Sequence, residues 1–404
     1  MDYRPRVVSW NITGACNLRC AHCYLDAGKR WPGELSTEEG IRLIDQMAEE
    51  GTELLILTGG EPLLRKDLCT LAQHATTKRI AVVLGTTGTL INRSVAKDLK
   101  QSGVVGVGIS IDSLDPAKHD AFRGAPGAWH RALNGIEACR AEGLDLLVHT
   151  TALKMNYEEI PALAQFAHDR GARAFHLFFL VCTGRGEQQT DLSPQEYRGL
   201  LSFLLDAQGS YPNMMVRARC APYIGRLAQE QEATLSWSAG CLAGTSYCRV
   251  TPTGDVTPCP YLPLKAGNVR ESSFGAIWSS SQVLSRLRNP LLKGKCGRCN
   301  LARMENPICI GCRARAFALR GDELEEDPWC MFGPQQEEIR PQAALSWTPE
   351  ASARIDRIPR FIRGRVKQGA EAYARKHGVL QITPQLLDEF RARAFGKGHT
   401  SYKG

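Results

Sequence analysis

Along the first two hundred residues, apolar and polar positions alternate between two periods. The runs "VVSWNI", "LLILTGG", "IAVVLGT", "VVGVGISID", "DLLVHTTAL" and "AFHLFFLV" are rich in apolar and β-branched residues and read as strands. A stretch with helical spacing follows each, from "STEEGIRLIDQMAEEG" to "SPQEYRGLLSFLLDAQG". In the first of these, Ser36 and Glu39 form a capping box and Gly51 is a stop. Six β–α units predict an α/β fold with a parallel sheet and right-handed crossovers. In such sheets the site lies at the carboxyl ends of the strands. There the sequence places "ACNLRCAHCY" after the first strand, Gly59-Gly60-Glu61-Pro62 after the second, and Ser110 and Asp112 at the end of the fourth.

Beyond residue 208 the periodicity changes. Residues 209–239 read as a linker. Residues 240–335 are rich in Gly, Pro and Cys with little continuous periodicity, so metal is expected to replace an apolar core there. Residues 345–404 read as a small helical module, its last helix opening at Thr383 and Pro384. No apolar run is long enough to span a membrane, and the N-terminus lacks the apolar core of a secretion signal. A cytoplasmic protein is expected.

Charge changes the picture in one place. The net charge is +8, and from Leu345 to Gly404 twelve Lys and Arg face five Asp and Glu, which is +7 of it. A solvated helical tail and a cationic surface for an anionic partner both fit that bias. No nucleic-acid-binding motif accompanies it, so nucleic acid is not an expected partner.

The fifteen cysteines fall in tight clusters, which favours metal over a disulfide framework. Cys16, Cys20 and Cys23 suit three irons of a 4Fe–4S cube and leave the fourth iron open for a small bidentate ligand. A structural zinc would want a fourth ligand, and His22 is poorly placed beside Cys23. Cys241, Cys248, Cys259, Cys296, Cys299, Cys309, Cys312 and Cys330 are eight further candidate ligands, enough for two four-thiolate clusters. Zinc ribbons compete for the same CxxC pairs. Cys69 and Cys139 read as buried small side chains, and Cys220 as an alternative ligand.

The gapless spacing of Cys16, Cys20 and Cys23, with "TGGEP" after the second strand, resembles the radical SAM superfamily. The resemblance implies a partial (β/α)6 TIM-type barrel, with S-adenosylmethionine (SAM) chelating the open iron. It also implies His22 beside the adenine, and Gly59, Gly60 and Glu61 at the methionyl amine. Ser110 and Asp112 would reach the ribose or carboxylate. One electron from a donor such as flavodoxin or ferredoxin would then cleave SAM to a 5′-deoxyadenosyl radical. The later cysteines resemble the SPASM extension of that superfamily. That scheme implies Cys241, Cys248, Cys259 and Cys312 around one auxiliary cluster. It implies Cys296, Cys299, Cys309 and Cys330 around the other. Nine residues separate Cys299 from Cys309, where the common pattern has five, so the expectation is one or two auxiliary 4Fe–4S clusters.

"CLAGTSYCRVTPTGDVTPCPYLPL", "GCRARAFALRGD" and "EDPWC" resemble the tetrapyrrole-modifying branch of SPASM proteins, which includes heme synthases and NirJ-type enzymes. The segment from Trp347 to Thr383 resembles the small C-terminal domain of dark-operative protochlorophyllide reductase. Both imply a tetrapyrrole substrate and a reaction at a porphyrin propionate, by oxidative decarboxylation or removal. Turning a propionate into a vinyl group releases carbon dioxide, a proton and two electrons. The nucleoside radical takes one electron with its hydrogen atom, and an auxiliary cluster can accept the other. Arg185, Arg313 and Arg315 are candidate carboxylate partners by motif position, although each reads more readily as a surface or structural arginine. The basic tail is a candidate lid. The alternative is a SPASM maturase of ribosomal peptides, disfavoured because about six residues precede the first strand. An Fe–S electron carrier has no use for the open iron.

Overall fold

The computed structural model describes residues 3–331, apart from 190, 236, 238, 305 and 306, and residues 345–395 with breaks between 359 and 378. Two compact units divide the chain, Met1–Gln335 and Gln336–Gly404. In the first, the six expected strands form: β1 (Val7–Asn11), β2 (Leu54–Thr58), β3 (Ala81–Thr86), β4 (Val104–Ser110), β5 (Asp145–Ala152) and β6 (Ala174–Phe179). Each pairs in parallel with the next. Between them run α1 (Thr37–Glu49), α2 (Leu68–Thr77), α3 (Arg93–Gln101), α4 (Pro116–Arg123), α5 (Ala128–Ala141) and α6 (Ile160–Asp169); α7 (Pro194–Ser210) follows β6.

The Ser36–Glu39 capping box is made: Glu39 N–H donates to Ser36 Oγ and Ser36 N–H to the Glu39 carboxylate. The apolar stripe of α1, including Leu43, Ile44 and Met47, is buried against Trp10, Leu55 and Leu57 of the sheet. Such burial contributes about 1.5–3 kcal/mol per large side chain.

The segment expected to be a linker is not one. It holds a seventh parallel strand, β7 (Met215–Arg219), paired to β6, and the helix α8 (Ile224–Glu230). Val216, Ile224 and Leu227 from it are fully buried. The cysteine-rich segment likewise shares the barrel's core. Its strand β8 (Tyr247–Val250) pairs in parallel with β1, and β9 (Asp255–Thr257) and β10 (Gly267–Asn268) continue the sheet antiparallel. Val250, Val256, Phe274 and Trp278 join the main apolar cluster, so metal is not the whole of its core. The sheet runs β10-β9-β8-β1-β2-β3-β4-β5-β6-β7, which leaves β7 and β10 as its edges.

In the second unit, Ser346–Trp347 pairs with Gln381–Ile382, and the helices Pro349–Asp356 and Pro384–Phe395 flank them. Ala351, Ile355, Ile382, Leu386 and Leu387 make its core.

Candidate functional site

Strand β1 delivers the N-terminal cysteines into a loop closed by backbone bonds, from Cys16 N–H to Gly28 C=O and from Gly28 N–H to Gly14 C=O, each 3.0 Å. The buried Glu34 carboxylate holds the base of that loop, accepting from Gly14 N–H (2.8 Å), Trp31 N–H (2.9 Å) and Thr13 Oγ1 (3.1 Å). The sulfurs face polar donors. Leu18 N–H points at Cys16 Sγ and Ala27 N–H at Cys23 Sγ, both at 3.4 Å, and Arg123 Nη1 lies 3.7 Å from Cys20 Sγ. Burial pushes the Cys16 thiol up to about 11, and the nearby charges of Cys20, Glu61 and Cys23 add to that rise. A bound metal deprotonates a coordinating thiol outright, so burial of this kind is compatible with thiolate ligation. Among the described residues, no three His, Cys, Asp or Glu side chains converge on a single-ion site. The donor set and its N–H···S contacts fit a thiolate-bound iron–sulfur cluster.

Two arginines fix this loop. Arg123, last residue of α4, forms an ion pair with Asp112, the two side chains 7% and 0% exposed. Arg185, in the loop after β6, donates to Cys20 C=O at 2.9 Å and to Ala27 C=O at 3.2 Å, and pairs with Asp26. Arg185 is therefore a clasp on the cysteine loop, not a free carboxylate partner. Asp112 is committed as well: beyond Arg123, it accepts from Thr151 N–H at 2.8 Å. Burial works against its ionisation, but Arg123, then His22 and Thr151, hold its carboxyl below the usual range. The carboxylate that the resemblance places at SAM is thus engaged by Arg123 and Thr151. Sequence reasoning missed Arg123, whose only signal is a cation at the end of a helix.

The Gly59–Glu61 turn packs onto the same loop. A Cβ on Gly60 would sit 2.2 Å from Ala15 C=O, and one on Gly59, at φ +156°, 2.5 Å from Thr13 C=O. Only glycine permits this approach. The fully buried Glu61 carboxylate accepts from Thr86 Oγ1, Thr87 N–H, Thr87 Oγ1 and Leu63 N–H. It ties the β2 and β3 loops together with both oxygens already engaged. His22 stacks on Phe122, with centroids 4.4 Å apart and planes 6° apart, and its Nδ1 has no hydrogen-bond partner. Burial, then the charge of Arg123, lowers its pKa to about 4, so the ring is neutral.

A row of interior side chains crosses the sheet: Ser110 of β4 is in register with His149, His149 with His176, and His176 with Arg217. The next interior row holds Thr151, Phe178 and Arg219. The His149 and His176 rings stack at 5.2 Å, and a Cβ on Gly108 would meet the His149 ring at 2.3 Å. Burial depresses the pKa of both histidines and of Arg219. Sequence reasoning passed over these residues because it took their strands as uniformly apolar. Their signal was the alternation "LVHTT" and "FHLFF", which puts histidine on the inward face.

The later cysteines form two groups. Cys296, Cys299, Cys309 and Cys330 line one cavity with Tyr223 and Arg226. Asp327 N–H and Gly311 N–H reach Cys296 Sγ and Cys309 Sγ at 3.4 Å, and Arg313 Nη2 lies 3.7 Å from Cys296 Sγ. Cys241, Cys259 and Cys312 make the second group, lying in one another's electrostatic field together with Cys220. The fully buried Asp327 joins the groups, also accepting from Cys312 N–H at 2.7 Å. Cys248, which the resemblance implies for the second group, is not among its residues. It is fully buried in the main apolar core on β8. Arg313 and Arg315 take the structural reading. Both are buried in bonds to Glu323 C=O, Glu325 C=O, Leu180 C=O and Asp327.

An open cleft touches both ends of this system. Tyr24, next to Cys23, and Tyr261, two residues after Cys259, line it and meet edge-to-face at 5.1 Å. Trp31, Phe317, Arg249 and Cys182 complete the part that bears on chemistry.

Residues 10–167 match the radical SAM superfamily, residues 241–300 the SPASM iron–sulfur cluster-binding domain, and residues 347–391 the proto-chlorophyllide reductase 57 kD subunit family. The class is thus an enzyme of radical chemistry that binds SAM, a 4Fe–4S cluster and auxiliary Fe–S clusters. An AdoMet-dependent heme synthase of Methanosarcina barkeri (strain Fusaro) is 41% identical over 83% of this chain and 98% of its own length. The mycofactocin maturase MftC of Mycobacterium ulcerans is 32% identical over 81% and 88%. The Streptococcus suis SuiB structure bound to S-adenosylmethionine matches with a TM-score of 0.66 at 20% identity, covering 82% of this chain and 78% of that one, and supports the fold. The chain belongs to the SPASM-bearing branch of the radical SAM superfamily that contains that heme synthase. No described helix is long and apolar enough to cross a membrane.

Proposed function

We propose that this enzyme oxidatively decarboxylates a propionate of an iron porphyrin, as a heme synthase does. The observation that carries the reading is the cleft whose walls run from the residue after Cys23 to the neighbourhood of Cys259. A substrate there lies between a radical source and an electron acceptor, as the two-electron balance of propionate-to-vinyl conversion requires. Its aromatic walls suit a macrocycle face, and Arg249 suits a carboxylate. The M. barkeri relative supports a tetrapyrrole over a peptide by its higher identity.

Cys16, Cys20 and Cys23 would hold the catalytic cluster. Cys296, Cys299, Cys309 and Cys330 would hold one auxiliary cluster, and Cys241, Cys259 and Cys312 part of another. Bound there, the catalytic cluster and SAM would supply hydrogen-atom abstraction from an unactivated carbon. The chain's own contribution is positional. Arg123 and Arg185 fix the cysteine loop, the glycine pair lets the turn after β2 pack directly on it, and the neutral His22 offers an apolar stacking face. The electron comes from outside, from a flavodoxin- or ferredoxin-type donor. A reducing cytoplasm keeps the thiols available.

The test is anaerobic turnover of Fe-coproporphyrin III with reductant and SAM, read by mass. Expected are 5′-deoxyadenosine and loss of carbon dioxide plus two hydrogens per propionate. 5′-Deoxyadenosine with an unchanged porphyrin, and modification of a peptide instead, would overturn the tetrapyrrole reading in favour of maturation.

A further inference from the structure

The group formed by Cys241, Cys259 and Cys312 lacks the cysteine that its motif spacing nominates. On β8 the alternation sends Tyr247 and Arg249 to the inside of the barrel, where Arg249 Nη1 reaches Pro260 C=O at 2.9 Å. Cys248 and Val250 go to the other face, into the core with Val8, Trp10 and Trp278. Bringing Cys248 inward needs a one-residue slip that would invert all of β8.

Cys220 stands where a fourth thiol is wanted. On β7, Val216 and Ala218 enter the outer core while Arg217 and Arg219 face inward. Strict alternation would send Cys220 outward. Instead its backbone turns left-handed, at φ +60°, immediately after the last paired residue. A non-glycine residue adopts that conformation uncommonly, and here it breaks the strand's alternation at Cys220. Cys220 then packs with Cys259 and Cys312 around Val181 and Leu262. Its carbonyl accepts from Tyr197 OH at 3.4 Å, and Tyr197 OH in turn accepts from Arg315, three residues beyond Cys312.

We propose that Cys220, from the end of the seventh barrel strand, is the fourth thiolate of the auxiliary cluster held by Cys241, Cys259 and Cys312, and that Cys248 is a core residue. This rests on the auxiliary-cluster reading above. The experiment compares full-length wild type, Cys220→Ala, Cys220→Ser and Cys248→Ala after anaerobic reconstitution. Iron and sulfide per chain and the EPR spectrum of the reduced protein are the readouts. Cys248→Ala should keep the wild-type iron content and spectrum. Cys220→Ala should lose up to about four irons or convert one signal to a three-iron form, and Cys220→Ser should shift the g-values of one cluster only. Thermal unfolding of the metal-free variants identifies any loss due to misfolding, and the serine variant then decides. Loss in Cys248→Ala with Cys220→Ala and Cys220→Ser unchanged, or no change in any variant, overturns the assignment. Wild-type protein that binds iron at the N-terminal trio alone would instead remove the auxiliary-cluster reading.

Discussion

Asp112→Ala removes one partner of a pair that is almost wholly out of water. The carboxylate is 0% exposed and the Arg123 side chain 7%, and Arg123 Nη1 is 3.7 Å from Cys20 Sγ. The change leaves a guanidinium buried without its counter-charge and the Thr151 N–H without an acceptor. Breaking a buried pair from one side costs about 3–5 kcal/mol, well above the ~1 kcal/mol of an exposed pair. The paired change Asp112→Ala with Arg123→Met should recover much of that loss, because no lone charge remains. The assay is denaturant unfolding of anaerobic, metal-free protein at pH 7, as a double-mutant cycle. The pH dependence has a definite sign. The folded carboxyl sits below its unfolded value of about 3.9, so its contribution is present above that pH and is lost as pH falls through the lower folded value. The penalty of Asp112→Ala should therefore shrink in acid. A single-variant cost under ~1 kcal/mol, or coupling near zero, would refute the claim that this pair braces the cysteine loop.

Gly60→Ala forces a Cβ to within 2.2 Å of Ala15 C=O, so the cysteine loop must shift; iron bound at the N-terminal trio should fall while circular dichroism stays near wild type. His149→Phe tests the barrel interior. Burial, then the charges of Arg219 and Arg123, lowers the pKa of His149 to about 3, so between pH ~6.5 and 3 the unfolded chain binds a proton the folded one does not. That histidine makes stability fall by up to about 1.4 kcal/mol per pH unit on acidification, and the variant should flatten the slope between pH 5 and 6; an unchanged slope counts against a buried neutral ring. Removing residues 345–404 should weaken porphyrin binding and leave SAM cleavage intact, and equal porphyrin affinity in the truncated protein would end the lid idea.

The six β–α units were legible because each strand is a dense apolar run and each helix carries its own start and stop signals. Strand β7 was not, because "MVRAR" alternates apolar core residues with arginines, and an inward-facing arginine reads like a surface one. Strand β8 failed for a related reason. In "YCRV" the cysteine was read through motif spacing, while the alternation that sends it to the core was ignored. Arg185, Arg313 and Arg315 were judged by position in a motif, and burial can be seen only once Cys20, Asp327 and the carbonyls around them are in place. The Cys296–Cys330 group shows the opposite error. Its irregular spacing leaves the second cluster's ligands open, while the fold brings all four residues to one cavity.

The edge positions of β7 and β10 give the auxiliary thiols a mechanical meaning. No ladder among the described residues joins the two sheet edges, so hydrogen bonds do not close the barrel. Where β7 ends, Arg219 lies in the field of Tyr247 on β8, and Cys220 lies in that of Cys259, just past β9. If Cys220 and Cys259 share a cluster, one inorganic core ties an edge strand to the far side of the sheet and to the helix after Cys312. Such a tie closes a long loop, which is where a cross-link most restricts the unfolded chain. Iron loading should then slow hydrogen exchange in β7 and β8 more than in the central strands β3 and β4. A substrate in the adjoining cleft would meet an electron acceptor that is also the clasp of its own wall.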